Sequence, residues 1–379
     1  ITMLKTAFKF IKYDRAKSIG VVVGILISIF LIGQQIGILG FLTGLMGGII
    51  DNSRADIGQI WVTDNISQNA NQLTQLDARL LHDLRSIEGL ENSFAVVAAN
   101  SIVKFENGKT ATVTIIGSNA PMFVGGPNPY KINKGKLHNL LLDKAIGAEF
   151  FDKKTFENDV EIGKRIEING KEAFIQLQTK NARGFGGSFF FTTLSKARYY
   201  GNFPPNKVSA IAVQVKPGYD LTKVVKRINT TIFGVRAWEA KELKKTTIRF
   251  LTFSSNIGTS IGSLVIFAII SGFFIIGLTL YSSALDRIKD YGTLKAIGAT
   301  DGYVRNLILL QSVIFALVGF SLAFLVLMGF KNGVQRSGLV INYSLLEVAG
   351  LFFITVFISV GGSFFAIKKI NSVEPASVF

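Results

Sequence analysis

The chain has 379 residues, is 49% hydrophobic, carries no cysteine and has a formal net charge of +16. This composition excludes a disulfide-stapled scaffold, and the collection of its apolar residues into four long runs without Asp, Glu, Lys, Arg or His excludes a wholly water-soluble fold. A basic excess would point to nucleic acid if it formed a patch on a soluble domain; here it clusters beside the apolar runs, which speaks for a membrane and against nucleic acid.

Residues 1–17 place Leu4, Ala7, Phe8 and Ile11 on one helical face and Lys5, Lys9 and Lys12 towards the other. That pattern predicts an amphipathic elbow helix in the inner interface, with its apolar side in membrane lipid and its lysines near anionic headgroups. The next 33 residues, 18–50, hold no ionisable side chain. A signal peptide would carry an apolar core of roughly 7 to 15 residues, so this run reads as a retained anchor. About 20 residues suffice to cross the hydrocarbon, and 33 would reach about 50 Å as a helix, so residues 18–50 are expected to form a first transmembrane helix continued by a stalk. Within it Gly33, Gly37, Gly40, Gly44 and Gly47 follow alternating steps of four and three along one face, and Gly20, Gly24 and Ser28 begin a related stripe. Small residues so placed let another helix approach closely, either one of this chain's own or that of a second copy.

Residues 51–249 have ordinary polar composition, with 28 Lys and Arg against 19 Asp and Glu spread along the sequence, and read as a solvated α+β domain with its own core. Two β-rich runs meet at Asn107-Gly108 and two more at Asn169-Gly170, both hairpin signatures. Helical spacing is expected for residues 73–87, through Leu73, Leu76, Leu80, Leu84 and Ile87, and for residues 221–232, through Leu221, Val224, Val225 and Ile228. Prolines 121, 127, 129, 204 and 205 mark surface loops. The glycine-rich segment 183–191, with Arg183, Phe185 and Gly187, reads either as a mobile partner-contacting loop or as a turn into a buried strand over residues 189–192.

Residues 250–285, 306–330 and 348–367 supply three further apolar runs, the first long enough to add a stalk segment before transmembrane helix 2. Lys5, Lys9, Lys12, Arg15 and Lys17 precede the first span, and Arg287, Lys289, Lys295 and Arg305 lie in the loop 286–305. Lys368 and Lys369 follow the last span, whereas only Lys331 and Arg336 lie in the loop 331–347. The positive-inside rule then puts both termini, including the tail 368–379, and the loop 286–305 in the cytoplasm, with residues 51–249 and 331–347 outside. The fold expected is an α-helical membrane protein with four transmembrane helices in a one-plus-three order and a large α+β extracytoplasmic domain between helices 1 and 2.

Catalytic signatures are sparse. Gly108-Lys109-Thr110 is the tail of a phosphate-binding loop without its first glycine, since Val103 stands there. The string Gly258-Thr-Ser260-Ile-Gly262 matches a nucleophile elbow but falls in or beside an apolar span, where helix packing is the better account. His82 and His138 stand far apart with no partner at metal-ligand spacing. No catalytic site, metal or cofactor is expected on the chain itself.

The segment Tyr291-Gly-Thr-Leu-Lys-Ala-Ile-Gly298 resembles the coupling loop of FtsX/MacB-type (type VII) ABC transporter permeases. The longer string from Leu280-Tyr-Ser-Ser to Asp290-Tyr-Gly-Thr is most similar to the DevC-like branch. The segments 160–170, Val215-Lys-Pro-Gly218 and Val373-Glu-Pro-Ala376, with the one-plus-three order, extend the resemblance over nearly the whole length. Many relatives carry Glu and an apolar residue before the first loop glycine, where this chain has Asp290 and Tyr291. The resemblance implies a homodimeric permease of the bacterial inner membrane whose cytoplasmic loop is gripped by an ABC ATPase subunit that binds the ATP and magnesium. By position, Asp290, Tyr291, Gly292, Leu294, Lys295 and Gly298 would form that grip. It further implies mechanotransmission to the periplasmic domain and, for DevC-like members, a periplasmic adaptor and a TolC-like channel. An envelope sensor or regulator of the FtsX-like kind is the alternative.

Overall fold

The computed structural model describes residues 2–371, which form two compact units, residues 41–257 and the described parts of 1–40 and 258–379. The Val373-to-Ala376 string and most of the tail 368–379 lie outside the described residues. In chain order, α1 (Thr2–Tyr13), α2 (Arg15–Met46) and α3 (Gly48–Asp51) are followed by β1 (Ile60–Asp64), β2 (Leu76–Asp77), α4 (Leu80–Leu84), β3 (Leu90–Phe105) and β4 (Thr110–Ser118). Then come β5 (Ile132–Lys134), β6 (Ala145–Glu149), β7 (Arg165–Ile168), β8 (Lys171–Thr179), β9 (Arg183–Gly184), β10 (Gly187–Thr193) and α5 (Leu194–Gly201). β11 (Lys207–Val208), β12 (Ala210–Val215), α6 (Leu221–Thr231), β13 (Val235–Glu239) and α7 (Ala240–Ser254) lead to α8 (Ile257–Asp286), α9 (Ile288–Ala296), α10 (Asp301–Gln335) and α11 (Leu345–Asn371).

Four helices, α2, α8, α10 and α11, are long and apolar enough to cross a membrane. Val21, Ile25, Ile29 and Ile32 of α2 pack with Ile276 and Leu280 of α8, with Val304, Leu307, Ile308 and Phe315 of α10, and with Leu351 and Ile358 of α11. A Cβ added at Gly272 would stand 2.6 Å from the Ser28 hydroxyl, so a larger residue there would force α2 and α8 to adjust where they pack. The Ser359 hydroxyl donates across to the Ser312 carbonyl at 2.7 Å, satisfying a polar group that lipid could not. Phe267, Leu278, Leu325, Phe353 and Phe357 point outward, as a lipid-facing surface requires. Residues 2–13 are helical, with Ala7 fully buried, Leu4 and Phe8 exposed along with Lys5 and Lys9, and Asp14 separating this helix from α2. The uncharged run 250–285 is not one helix: Asn256, at φ 56°, breaks α7 from α8. Residues 258–262 lie inside α8 rather than at the strand-to-helix turn a nucleophile elbow needs.

In the other unit, β13, β1, β12 and β3 lie side by side, all antiparallel, in the order of two interleaved split β-α-β units whose helices α4 and α6 cover one face. Leu84, Val224 and Ile228 from those helices meet Ile60, Val62, Ile211 and Val213 from the strands. The 16-residue β3 continues past this module and pairs with β4, so one strand serves two cores. Its second core gathers Val97, Ala99, Val103 and Phe105 with Ile146, Phe156, Ile175 and Tyr200. β4, β10, β6, β8 and β5 extend the sheet, with β7 joining β3 to β8. Both predicted hairpins form, and at the β7–β8 turn Asn169 and Gly170 take φ 48° and 78°, the pair of positive angles that a tight two-residue turn demands.

The single helix expected over residues 73–87 is not found. Leu76 enters β2 opposite Val208, and the Asp77 carboxylate accepts the Arg79 amide at 2.9 Å, ending the strand before the five-residue α4. Leu76, Leu84 and Ile87 are buried all the same: the apolar spacing marks the covered side, whereas local hydrogen bonding sets the conformation. The helix expected over residues 221–232 does form, capped by Asp220, which accepts from the Thr222 and Lys223 amides.

Candidate functional site

Between α8 and α10 the chain makes a short helix, α9, closed by a Schellman turn. The Ala299 amide donates to the Leu294 carbonyl at 2.9 Å and the Gly298 amide to the Lys295 carbonyl at 3.0 Å, with Gly298 at φ 102°. α10 starts at once, capped by Thr300. The six residues that the sequence singles out here divide by exposure. Asp290 and Gly298 lie at the surface with Lys289, Thr293, Ala296 and Ile297; Leu294 and Lys295 are half-buried; Tyr291 and Gly292 are buried. Tyr291 packs against Phe10 of α1 at 5.3 Å between ring centroids, and burial pushes its phenol up to about 12. The Lys295 ammonium meets the Asp301 carboxylate at 2.8 Å and the Ile370 carbonyl at 3.0 Å. The helix is thus pinned along its inner side and offers a small outward face of mixed charge and one large apolar side chain, Ile297, which is 76% exposed.

The glycine stripe divides similarly. Gly33 lies against Leu327 and Leu351, Gly37 against Ile341 and Tyr343, and Gly47 against the Lys244 stem, whereas a Cβ added at Gly40 or Gly44 would meet nothing within 4 Å. Tyr343 donates its hydroxyl to the Gly33 carbonyl at 3.0 Å.

Segment 183–191 is a β9–β10 hairpin leading into a buried strand in which Phe189, Phe190 and Phe191 are covered. The Arg183 guanidinium lies 5.2 Å from the Phe151 ring centroid and its carbonyl accepts the Asn52 side chain at 3.0 Å. Phe185 is half-buried, Gly186 is exposed and Gly187 has φ 132°.

Behind this hairpin lie two buried acids that the sequence reading passed over, because nothing in an Asp or Glu between strands announces burial. The Glu149 carboxylate, fully buried, accepts the Asn181 amide at 2.7 Å, the Ala182 amide at 2.8 Å and the Thr179 hydroxyl at 2.9 Å. Asp152, 1% exposed, accepts the Ser188 hydroxyl through one oxygen while the other has no partner. Burial pushes the Asp152 carboxyl up to about 7; the Ser188 hydrogen bond and the Arg183 charge oppose this and the Glu149 charge adds to it. The folded state therefore keeps a proton that the unfolded chain releases near pH 4, and raising the pH through the window from about 4 to 7 removes stability, by up to about 4 kcal/mol. The only two tryptophans, Trp61 and Trp238, both lie in this unit, so denaturant unfolding followed by their fluorescence isolates it. A midpoint lower at pH 8 than at pH 5 is expected, with most of that difference gone in Asp152→Asn; an equal pH dependence in both proteins would contradict the assignment.

Among the described residues no group of His, Cys, Asp or Glu could hold a metal ion. A long first helix, an α/β domain and three closing helices with a pinned connector make a polytopic architecture with one large domain inserted after its first candidate span. A family profile described as MacB-like periplasmic core domain matches residues 18–231, more than half of the chain, and one described as FtsX-like permease C-terminal matches residues 262–375. The chain belongs to the MacB/FtsX-like permease family, whose members are membrane subunits of ABC-type transporters.

Similar solved structures include the periplasmic region of MacB from Actinobacillus actinomycetemcomitans, at 12% identity over 50% of this chain and 93% of that one, with a TM-score of 0.38. The extracellular domain of the noncanonic ABC-type transporter YknZ from Gram-positive bacteria is another, at 13% identity over 47% of this chain and 98% of that one, with a TM-score of 0.36. No curated protein matches the chain.

Proposed function

We propose that the chain is the permease subunit of a DevC-like exporter that transmits ATP-driven motion of a separate ATPase subunit to its periplasmic domain. Both termini and α9 face the cytoplasm of a bacterial cell, on the side where the basic residues gather. The observation that carries this reading is α9 itself: a helix held rigidly by buried Tyr291 and by Lys295, with Asp290, Thr293, Ala296, Ile297 and Gly298 turned outward for a partner's groove. ATP and magnesium sit on the partner; Tyr291, Gly292 and Lys295 set the helix rather than touch the ATPase. Two copies associate along the part of the glycine stripe left open at Gly40 and Gly44, and a periplasmic adaptor with a TolC-like channel completes the path outward.

Purification from native membranes tests this directly. An ATPase subunit should accompany the chain and hydrolyse ATP in a manner that depends on it, and Ile297→Glu should remove at least nine-tenths of the recovered ATPase while leaving membrane insertion intact. An inserted, folded chain that brings down no ATPase, or an Ile297→Glu protein that recruits it normally, would contradict the assignment.

A further inference from the structure

Where α1, α2, α8, α9 and α10 converge, a cavity of about 20 Å³ is lined by Phe10, Lys17, Ser18, Ser283, Arg287, Tyr291 and Gln311, among others. Two of these residues are buried donors without acceptors. Arg287 is 7% exposed and its Nη2 has no hydrogen-bond partner; Gln311 is 8% exposed and its Nε2 has none either. A buried donor left unmatched is costly, more so when it is charged, so two beside the same small space call for an acceptor there. The other polar groups at the cavity are already engaged, the Tyr291 hydroxyl with the Gln311 side chain, whose Nε2 still lacks an acceptor. Lys17 is paired with Asp286, Ser18 donates to the Ile11 carbonyl at 2.9 Å, and Ser283 donates to Asp14 at 3.4 Å.

The guanidinium is also held in place. It lies 4.9 Å from the Phe10 ring centroid and 5.1 Å from that of Tyr13, both on the elbow helix, and it has no ion-pair partner among the described residues. Asp14 and Asp286 are committed to Ser283 and Lys17 respectively, so neither neutralises it. A space of this size admits a single oxygen atom. Lys17 of its lining and the paired Asp286 are 28% and 61% exposed, and Phe10 and Ile11 of the amphipathic α1, a kind of helix suited to lie among headgroups, form part of its wall.

We propose that this cavity receives one phosphoryl oxygen of a phospholipid headgroup, hydrogen-bonded by Arg287 and Gln311, and that α1 forms the wall of a lipid site. Guanidinium is suited to this role because it binds phosphate through hydrogen bonds as well as charge. Since Tyr291 lines the same cavity, occupancy would brace α9 against α1. That consequence rests on the coupling role proposed for α9; the binding site does not.

The test uses the full chain, delipidated in neutral detergent. Adding phosphatidylglycerol should raise the melting temperature and leave one lipid retained in native mass spectrometry. A diglucosyl-diacylglycerol of the same acyl chains, which lacks phosphate, should do neither, and inorganic phosphate should give little of the shift. In Arg287→Gln, apparent affinity for phosphatidylglycerol should fall about tenfold.

Gln311→Glu guards against simple misfolding, because its carboxylate supplies the missing acceptor from within. It should abolish lipid retention without lowering the lipid-free melting temperature. An equal shift with inorganic phosphate alone would overturn the lipid assignment in favour of a soluble anion. Equal retention of both lipids, or unchanged retention in both variants, would leave the cavity to an internal water and overturn the proposal. ATPase recruitment is not read in any arm, so failure here is distinguishable from failure of the coupling role.

Discussion

Gly298→Val is expected to uncouple the chain from its ATPase, cutting chain-dependent ATP hydrolysis at least tenfold while insertion and the fold of the outer unit are unaffected. At φ 102° the backbone lies where L side chains are strained, at a cost of roughly 1–2 kcal/mol, and a β-branched side chain fares worst. The cheapest relief is to open the Schellman turn, which frees the Leu294 and Lys295 carbonyls and lets the end of α9 unwind away from Asp301. No atom stands within 4 Å of a Cβ added at this position, so the effect is one of backbone conformation rather than collision. Asn, which tolerates positive φ best among L residues, should lose least, and Ala should fall between. Amide exchange at Gly298 and Ala299 gives a readout independent of any partner and should quicken by about tenfold in the valine variant. Protection and hydrolysis both unchanged would remove Gly298 from the coupling role.

The parts of this molecule legible in the sequence are those set by solvent. Four runs without charge give four long helices because a backbone in lipid has no other way to pair its polar groups, and the first of them, α2, is long and apolar enough to cross a membrane. Asn169-Gly170 fixes its hairpin through local torsion alone. The misses share a different cause. Residues 73–87 keep helical spacing, yet the pairing of Leu76 with Val208, more than a hundred residues away, overrides it. The uncharged run 250–285 gave no sign of the break at Asn256, since a left-handed Asn costs little and leaves hydropathy unchanged. In the loop 286–305 the motif residues were found but not their directions; that Tyr291 faces inward while Ile297 faces outward depends on where α1 lies, which no local pattern encodes. Arg287 and Gln311 were legible only as a topology-setting charge and an uncharged polar residue in an apolar run.

Glu149→Ala should strongly destabilise the outer unit, lowering its stability by about 3–5 kcal/mol, because it strands the buried Ala182 amide, takes the acceptor from the part-buried Asn181 amide and leaves the Thr179 hydroxyl only the Ala148 carbonyl at 3.4 Å. Glu149→Gln is a sharper test than it first seems. Both carboxylate oxygens accept: Oε1 takes the Asn181 amide and Oε2 takes the Ala182 amide and the Thr179 hydroxyl. Whichever way a glutamine is turned, its NH₂ must face a donor, so this nearly isosteric change should still cost about 2 kcal/mol. The residues these bonds hold, 179–182, lead directly into β9, so the hairpin carrying Arg183, Phe185 and Gly187 should loosen first. Denaturant unfolding followed by Trp61 and Trp238 fluorescence should show the graded loss from wild type through Gln to Ala, with amide exchange rising earliest over residues 181–188. A Gln variant as stable as the wild type would mean that one oxygen suffices and that the carboxylate is not the clamp holding this hairpin to the sheet.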